Sequence, residues 1–160
     1  MLTKIWSAAN YGLEAVQIET EVNVAEKGFP GFTIVGLASK AVEEAKERVK
    51  TAIINCDMEF PTAKITVNLA PADLPKEGAY YDLPIAVGIL ASSDQINLPD
   101  DKEYYFGELS LDGSLRHSRG VFLLAILAIN SLRFSNFFLL WSRIMSSKTV
   151  SSILPVRWCT

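Results

Sequence analysis

Residues Lys64–Pro84 read KITVNLAPADLPKEGAYYDLP. Ile65, Val67 and Leu69 alternate with polar neighbours, which predicts a buried strand over Lys64–Leu69. A polar loop follows, carrying Asp73, Lys76 and Glu77. Asp82 then opens an apolar helix predicted over Asp82–Ser92, where Asp82 is placed to cap. Pro84 falls in the first turn, where its missing N–H does no harm. A strand that delivers a charged loop to a helix N-terminus is a common way to build a site.

Outward from this stretch, Thr3–Ala9 reads as a first strand and Glu14–Val24 as a second. In the second, Val16, Ile18, Thr20, Val22 and Val24 share one face while Gln17, Glu19, Glu21 and Asn23 share the other. That alternation predicts a half-buried antiparallel strand. Gly28-Phe29-Pro30-Gly31 forms a turn into a strand at Phe32–Val35, and these early strands are expected to make a meander. Ser39 is placed to cap a helix running to Asn55, with Val42, Ala45, Val49, Ala52 and Ile53 as its apolar stripe. Its charges read as a solvated face, on which Glu44 and Arg48 make an i,i+4 pair worth about 0.2–0.5 kcal/mol. Tyr104–Leu109 and Leu115–His117 read as a hairpin around Asp112-Gly113, a type I′ signal. Val121–Ile129 is a third helix, and its nine apolar residues are too few to span a bilayer. Strands, helix, strand, helix, hairpin and helix point to an α+β domain.

Charge is unevenly spread along the 160 residues, whose net charge is −3. Residues 1–120 hold all 18 acidic groups and 11 of the 15 Lys and Arg, whereas residues 121–160 hold four basic residues and no acid. The tail also holds seven of the 14 serines, so the composition changes at Gly120. The overall balance argues against a surface that coats nucleic acid. Cys56 and Cys159 belong to no CxxC pair, which suits reduced thiols in a cytoplasmic protein. The N-terminus MLTKIWSAAN lacks the apolar core of a secretory signal, and no membrane partner is expected.

A P-loop requires G-x-x-x-x-G-K-[ST], because its amides cradle phosphates while Lys and the hydroxyl reach the γ-phosphate and magnesium. Gly31 and Gly36 have the glycine spacing, but Leu37 and Ala38 stand where Lys and Ser/Thr are needed. His117, the single histidine, has no Cys, Asp or Glu around it at zinc spacing. Tyr80 and Tyr81 could stack a base, but they read first as packing against the sheet.

Three segments carry a family resemblance: FTIVGL at Phe32–Leu37, the Lys64–Pro84 stretch, and GELSLDGSLRHSRG at Gly107–Gly120. Together, and in this order, they resemble the N-terminal Lon-protease-like domain of the YifB/ComM family of magnesium-chelatase-like AAA+ ATPases. The resemblance implies a ribosomal-protein-S5-domain-2-like (Lon-protease-like) fold over residues 1–130. It also implies an AAA+ motor domain as the partner normally in the same polypeptide. ATP and magnesium are then cofactors of the full-length relatives, and this chain has none of its own. Those relatives are linked to DNA branch migration in natural transformation.

Lon-type enzymes use a Ser–Lys dyad on this fold, the serine lying in a P-K-D-G-P-S-A-G run. Pro75-Lys76-Glu77-Gly78-Ala79 matches the start of that run, and Tyr80 falls where the serine belongs. Phe122 falls at or near the lysine position. A phenol and a phenyl ring cannot replace a nucleophile and its base, so no peptidase activity is expected. From Ser131 the family pattern dissolves, and residues 131–160, with Trp141 and Trp158, read as an anomalous tail, truncated or frame-shifted.

The expected function is a non-catalytic accessory domain of such an ATPase, with no enzyme activity in the isolated chain. Asp73, Lys76, Glu77, Asp82, Arg116 and Arg119 form the candidate contact surface, for the motor domain or for DNA. The alternative readings are a stand-alone nucleic-acid-binding module and a magnesium-chelatase-type subunit.

Overall fold

The structure, a computed structural model, describes residues 1–25, 28–99, 102–117 and 120–131. Its elements in chain order are β1 (Leu2–Tyr11), β2 (Glu14–Ala25), β3 (Gly31–Val35), α1 (Lys40–Glu43), α2 (Ala45–Asn55), β4 (Lys64–Ala70), α3 (Asp82–Ser92) and α4 (Val121–Ser131). Strands and helices mix in a small α/β architecture compatible with the α+β expectation. The predicted tail beyond Ser131, with Trp141, Trp158 and Cys159, lies outside the described residues, as does Arg119.

The four strands form one sheet in the order β1-β2-β4-β3. β1 and β2 make an antiparallel hairpin with Ile5 opposite Thr20, and β2 runs antiparallel to β4 with Val22 opposite Val67. β3 lies parallel to β4, Ile34 opposite Val67. The expected meander is therefore corrected, because β3 skips β2 and pairs with the later strand. The reason is the connection between them. A parallel pair needs a long crossover, and the segment carrying α1 and α2 supplies it.

One face of the sheet is dry. Ile18, Thr20, Val22 and Val24 of β2, Ile65, Val67 and Leu69 of β4, Ile5 and Ile34 are all buried there. α2 buries Ala45, Val49, Ala52 and Ile53, the stripe read from the sequence. α3 is apolar almost all round and is buried along its length from Pro84 to Ser92, which makes it the central helix of the core. α3 and α4 both lie against β1 and β2. The other face stays polar: Lys4 pairs with Glu19 at 2.6 Å and Glu21 at 3.2 Å, and Asn68 donates to Glu21. Asn68 and Lys4 together hold the Glu21 carboxyl below its ordinary range.

Three local expectations need correction. The helix expected from Ser39 to Asn55 is two pieces that join at Glu44, and the Ser39 side chain makes no capping bond. The hairpin turn is not type I′, since Gly113 alone of the pair Asp112-Gly113 has positive φ (83°). Gly113 N–H donates to the Ser110 carbonyl and Ser110 N–H to that of Ser114, the three-residue loop that ends in a left-handed glycine. Asp82 does not cap α3 either. Tyr81 stands at the cap position and Asp82 is the first helical residue.

Candidate functional site

The segment Pro71–Tyr81 is a strap across the ends of β4 and β3. Lys76 N–H donates to the Leu37 carbonyl and the Lys76 carbonyl accepts from Ser39 N–H, so the strap pairs with the chain just beyond β3. Gly36 lets the chain leaving β3 press against β4: a Cβ there would sit 2.2 Å from the Leu69 carbonyl oxygen, on a backbone with φ of 105°. The Lys76 side chain turns inward, fully buried, and Nζ donates to the Pro71 carbonyl. Burial lowers its pKa, opposed by the nearby Asp73 carboxylate.

At the end of the strap Tyr80 and Glu77 face Asn10, Tyr11 and Gly12 at the end of β1 across a cleft of about 490 Å³. Asn10 Nδ2 reaches the Gly120 carbonyl at 3.5 Å, which ties this rim to the start of α4. Tyr80 is half-buried and lies over Gly78, while Phe122, two residues beyond Gly120, is 73 % exposed. Tyr81 behind it is buried, its hydroxyl without a hydrogen-bond partner among the described residues, and burial pushes its pKa above the ordinary phenol range.

Asp82 is the most heavily engaged of the predicted residues. Its carboxylate accepts two bonds from Arg48, Nε at 2.7 Å and the terminal nitrogen at 3.0 Å, and a third from Leu109 N–H at 3.2 Å. Arg48 also donates to the Ala41 carbonyl. Burial raises the Asp82 pKa against the downward pull of Arg48, while the bond to Asp82 raises that of Arg48. The surface pair expected between Glu44 and Arg48 gives way to this internal one, because a bidentate guanidinium–carboxylate contact is stronger than an exposed helix pair.

The six-residue contact surface does not assemble as expected. Lys76 and Asp82 are wholly buried, whereas Asp73, Glu77 and Arg116 are exposed. Arg116 donates to Ser110 Oγ at 2.9 Å and lies 3.8 Å from the Glu108 carboxylate, so its charge is partly answered within its own hairpin. Arg119 falls outside the described residues. His117 is exposed, and among the described residues no three His, Cys, Asp or Glu groups converge on a metal position. Sequence reasoning missed Arg48 and Asn10. Arg48 was detectable: it stands three residues after Ala45 and four before Ala52, beside the buried stripe. Asn10 gave no signal, since its role depends on a contact 110 residues away.

Comparison with known proteins identifies relatives of this chain. The family described as subunit ChlI of Mg-chelatase matches residues 20–139. Competence protein ComM of Haemophilus influenzae is 50% identical over 128 residues, which are 79% of this chain and 25% of ComM. The YifB protein of Escherichia coli, uncharacterized, is 49% identical over 133 residues, 82% of this chain and 26% of YifB. YifB of Salmonella typhimurium is 48% identical over the same length. The chain thus spans about a quarter of the length of the curated relatives it matches, in their N-terminal part. By the extent of the family match and the level of identity, this chain belongs to the magnesium-chelatase ChlI-like family, alongside ComM and YifB.

Proposed function

We propose that this chain serves as a non-catalytic accessory domain of a ComM/YifB-type magnesium-chelatase-like AAA+ ATPase. The observation that carries the reading is the chemistry of the cleft. The residue at the nucleophile position is Tyr80, Phe122 stands at or near the lysine position, and the buried amine of Lys76 is spent on the Pro71 carbonyl inside the strap. A Ser–Lys mechanism needs a free amine within reach of a hydroxyl, and neither group is available in that form. Gly31–Val35, the segment with P-loop glycine spacing, is a paired strand. The proposed fold is the S5-domain-2-like one, supported by the β1-β2 hairpin and the parallel β3-β4 unit with its crossover helices. ATP and magnesium belong, in this proposal, to a motor domain in the same polypeptide, and the setting is the cytoplasm. No helix among the described residues is long and apolar enough to cross a membrane.

The test has two arms. The purified chain is assayed with magnesium-ATP and with unfolded casein, and no turnover above the blank is expected in either. Magnesium-dependent ATP turnover, or casein cleavage, that persists through repurification overturns the proposal. In a full-length relative, deletion of the residues that match 1–131 is expected to leave ATP hydrolysis in place while impairing the work coupled to it. Loss of ATP hydrolysis itself would make the domain part of the catalytic machinery.

A further inference from the structure

Among the described residues the sheet has one edge partly covered and one open. At β1, Tyr105 N–H donates to the Trp6 carbonyl at 2.8 Å, and Tyr104 bridges to Trp6. At β3 no further strand pairs on the outer side among the described residues. Natural edges of this kind are usually protected by a charge, a bulge or an internal proline. β3 has none: GFTIV carries no charge, and the whole run Gly28–Ala38 (GFPGFTIVGLA) is free of Asp, Glu, Lys and Arg. Phe29 is 93 % exposed, Leu37 59 % and Val35 44 %, so the run is an apolar border.

The register with β4 shows which main-chain groups remain. Gly31 N–H donates to the Ala63 carbonyl, and Gly31, Thr33 and Val35 stand opposite Lys64, Thr66 and Asn68. In a parallel ladder alternate residues turn both their N–H and C=O to the same neighbour. Gly31, Thr33 and Val35 therefore face β4, and Phe32 and Ile34 direct theirs outward.

We propose that this edge pairs with the β3 edge of a second copy of the chain, antiparallel about a two-fold axis at Thr33. In that register Phe32 stands opposite Ile34 of the second copy, and Ile34 opposite its Phe32. These are the residues with outward main-chain groups, so the contact closes four hydrogen bonds and leaves no outward group of β3 unpaired. Thr33 meets Thr33 at the axis, a favourable cross-strand pair on the open face. An isologous contact sets each residue near the axis against its own copy, so any charge there would repel itself. The charge-free run Gly28–Ala38 meets that condition, and the two sheets become one of eight strands.

Sedimentation of the intact chain across the micromolar range tests this, together with Thr33→Lys, which places two ammonium groups face to face at the axis. The expected result is a concentration-dependent doubling of mass that Thr33→Lys abolishes, with its circular dichroism and unfolding midpoint close to those of the parent. Amide exchange gives a second readout in the unmodified chain: Phe32 and Ile34 slow as concentration rises, while Thr33 and Val35 do not change. A chain that stays monomeric throughout overturns the proposal. So does association that survives Thr33→Lys but is lost in Phe122→Lys, which would put the contact on α4. Flat exchange at Phe32 and Ile34 overturns it even if Thr33→Lys fails to fold.

Discussion

Tyr81 and Lys76 are two polar side chains buried within six residues of each other along the chain, and each leaves hydrogen-bonding capacity unused. The Tyr81 hydroxyl has no partner among the described residues, so its burial costs the desolvation of a group that water would otherwise satisfy. Tyr81→Phe is expected to keep the ring's packing and raise stability by up to about 1 kcal/mol at neutral pH in urea unfolding. The folded-state pKa lies above the unfolded value of about 10, so the unfolded chain releases its proton first. Stability attached to this group is complete below about pH 10 and is lost as pH rises beyond it. The gap between Tyr81→Phe and the parent should accordingly widen above about pH 10. A gap that stays constant to the alkaline limit would show that the hydroxyl is solvated. Lys76 has the opposite sign. Its pKa is depressed by burial, so the charged form is penalised in the fold at neutral pH. Lys76→Met should be neutral to stabilising at pH 7, with the advantage shrinking as pH climbs toward about 10.5. A marked loss of stability at pH 7 would instead show that the bond to Pro71 outweighs the buried charge.

α3 packs more closely on the hairpin than its sequence suggests. Gly88 sits where a Cβ would come within 2.4 Å of Val22 Cγ2 and 3.4 Å of Ile5 Cγ1. A glycine inside a helix normally costs about 1 kcal/mol relative to alanine, so its presence here reflects close packing rather than helix preference. Gly88→Ala should therefore destabilise by about 1–3 kcal/mol despite its better helix propensity. Val22→Ala in the same chain removes the obstructing methyls, and the double variant is expected to be less destabilised than the sum of the two singles. Strict additivity in thermal or urea unfolding would count against the contact.

At the scale of the whole molecule, the Asp82 carboxylate joins parts of the chain that are remote in sequence. Arg48 from α2 reaches it while also holding the first turn of α1 through Ala41, and Leu109 N–H brings in the hairpin. Gly107 adds bonds to Tyr80 and Leu83, and Asn55 at the end of α2 donates to the Leu111 carbonyl. Asp82 has no side-chain exposure, so removing Arg48 would leave an uncompensated charge in the core. Arg48→Ala should cost about 3–5 kcal/mol in chemical denaturation. Amide exchange at Leu109, which donates to the carboxylate, should accelerate, and with it Leu83 and Gly107, whose amides bond the Gly107 and Tyr80 carbonyls in the same segment. A loss below about 1 kcal/mol would mean that water replaces the guanidinium.

Much of this architecture is written in local pattern. β2, β4, α3 and the stripe of α2 follow from alternation and helical spacing, because each buries one side against a common core and the period records which side. The motifs in Phe32–Leu37, Lys64–Pro84 and Gly107–Gly120 were enough to indicate the family. Position along the chain could not reveal which strand β3 joins or that Lys76 turns inward. Nor could it show that Arg48 leaves the solvated face for Asp82, or that Asn10 reaches the Gly120 carbonyl. Periodicity records the environment of a side chain and not the identity of its partner. Partners separated by tens of residues are chosen only when the sheet order and the helix packing bring them together. For that reason the sequence by itself determined the elements, the core and the family, while the tertiary structure decided that Lys76 of the charged strap is spent inside the fold and Asp73 and Glu77 stay exposed.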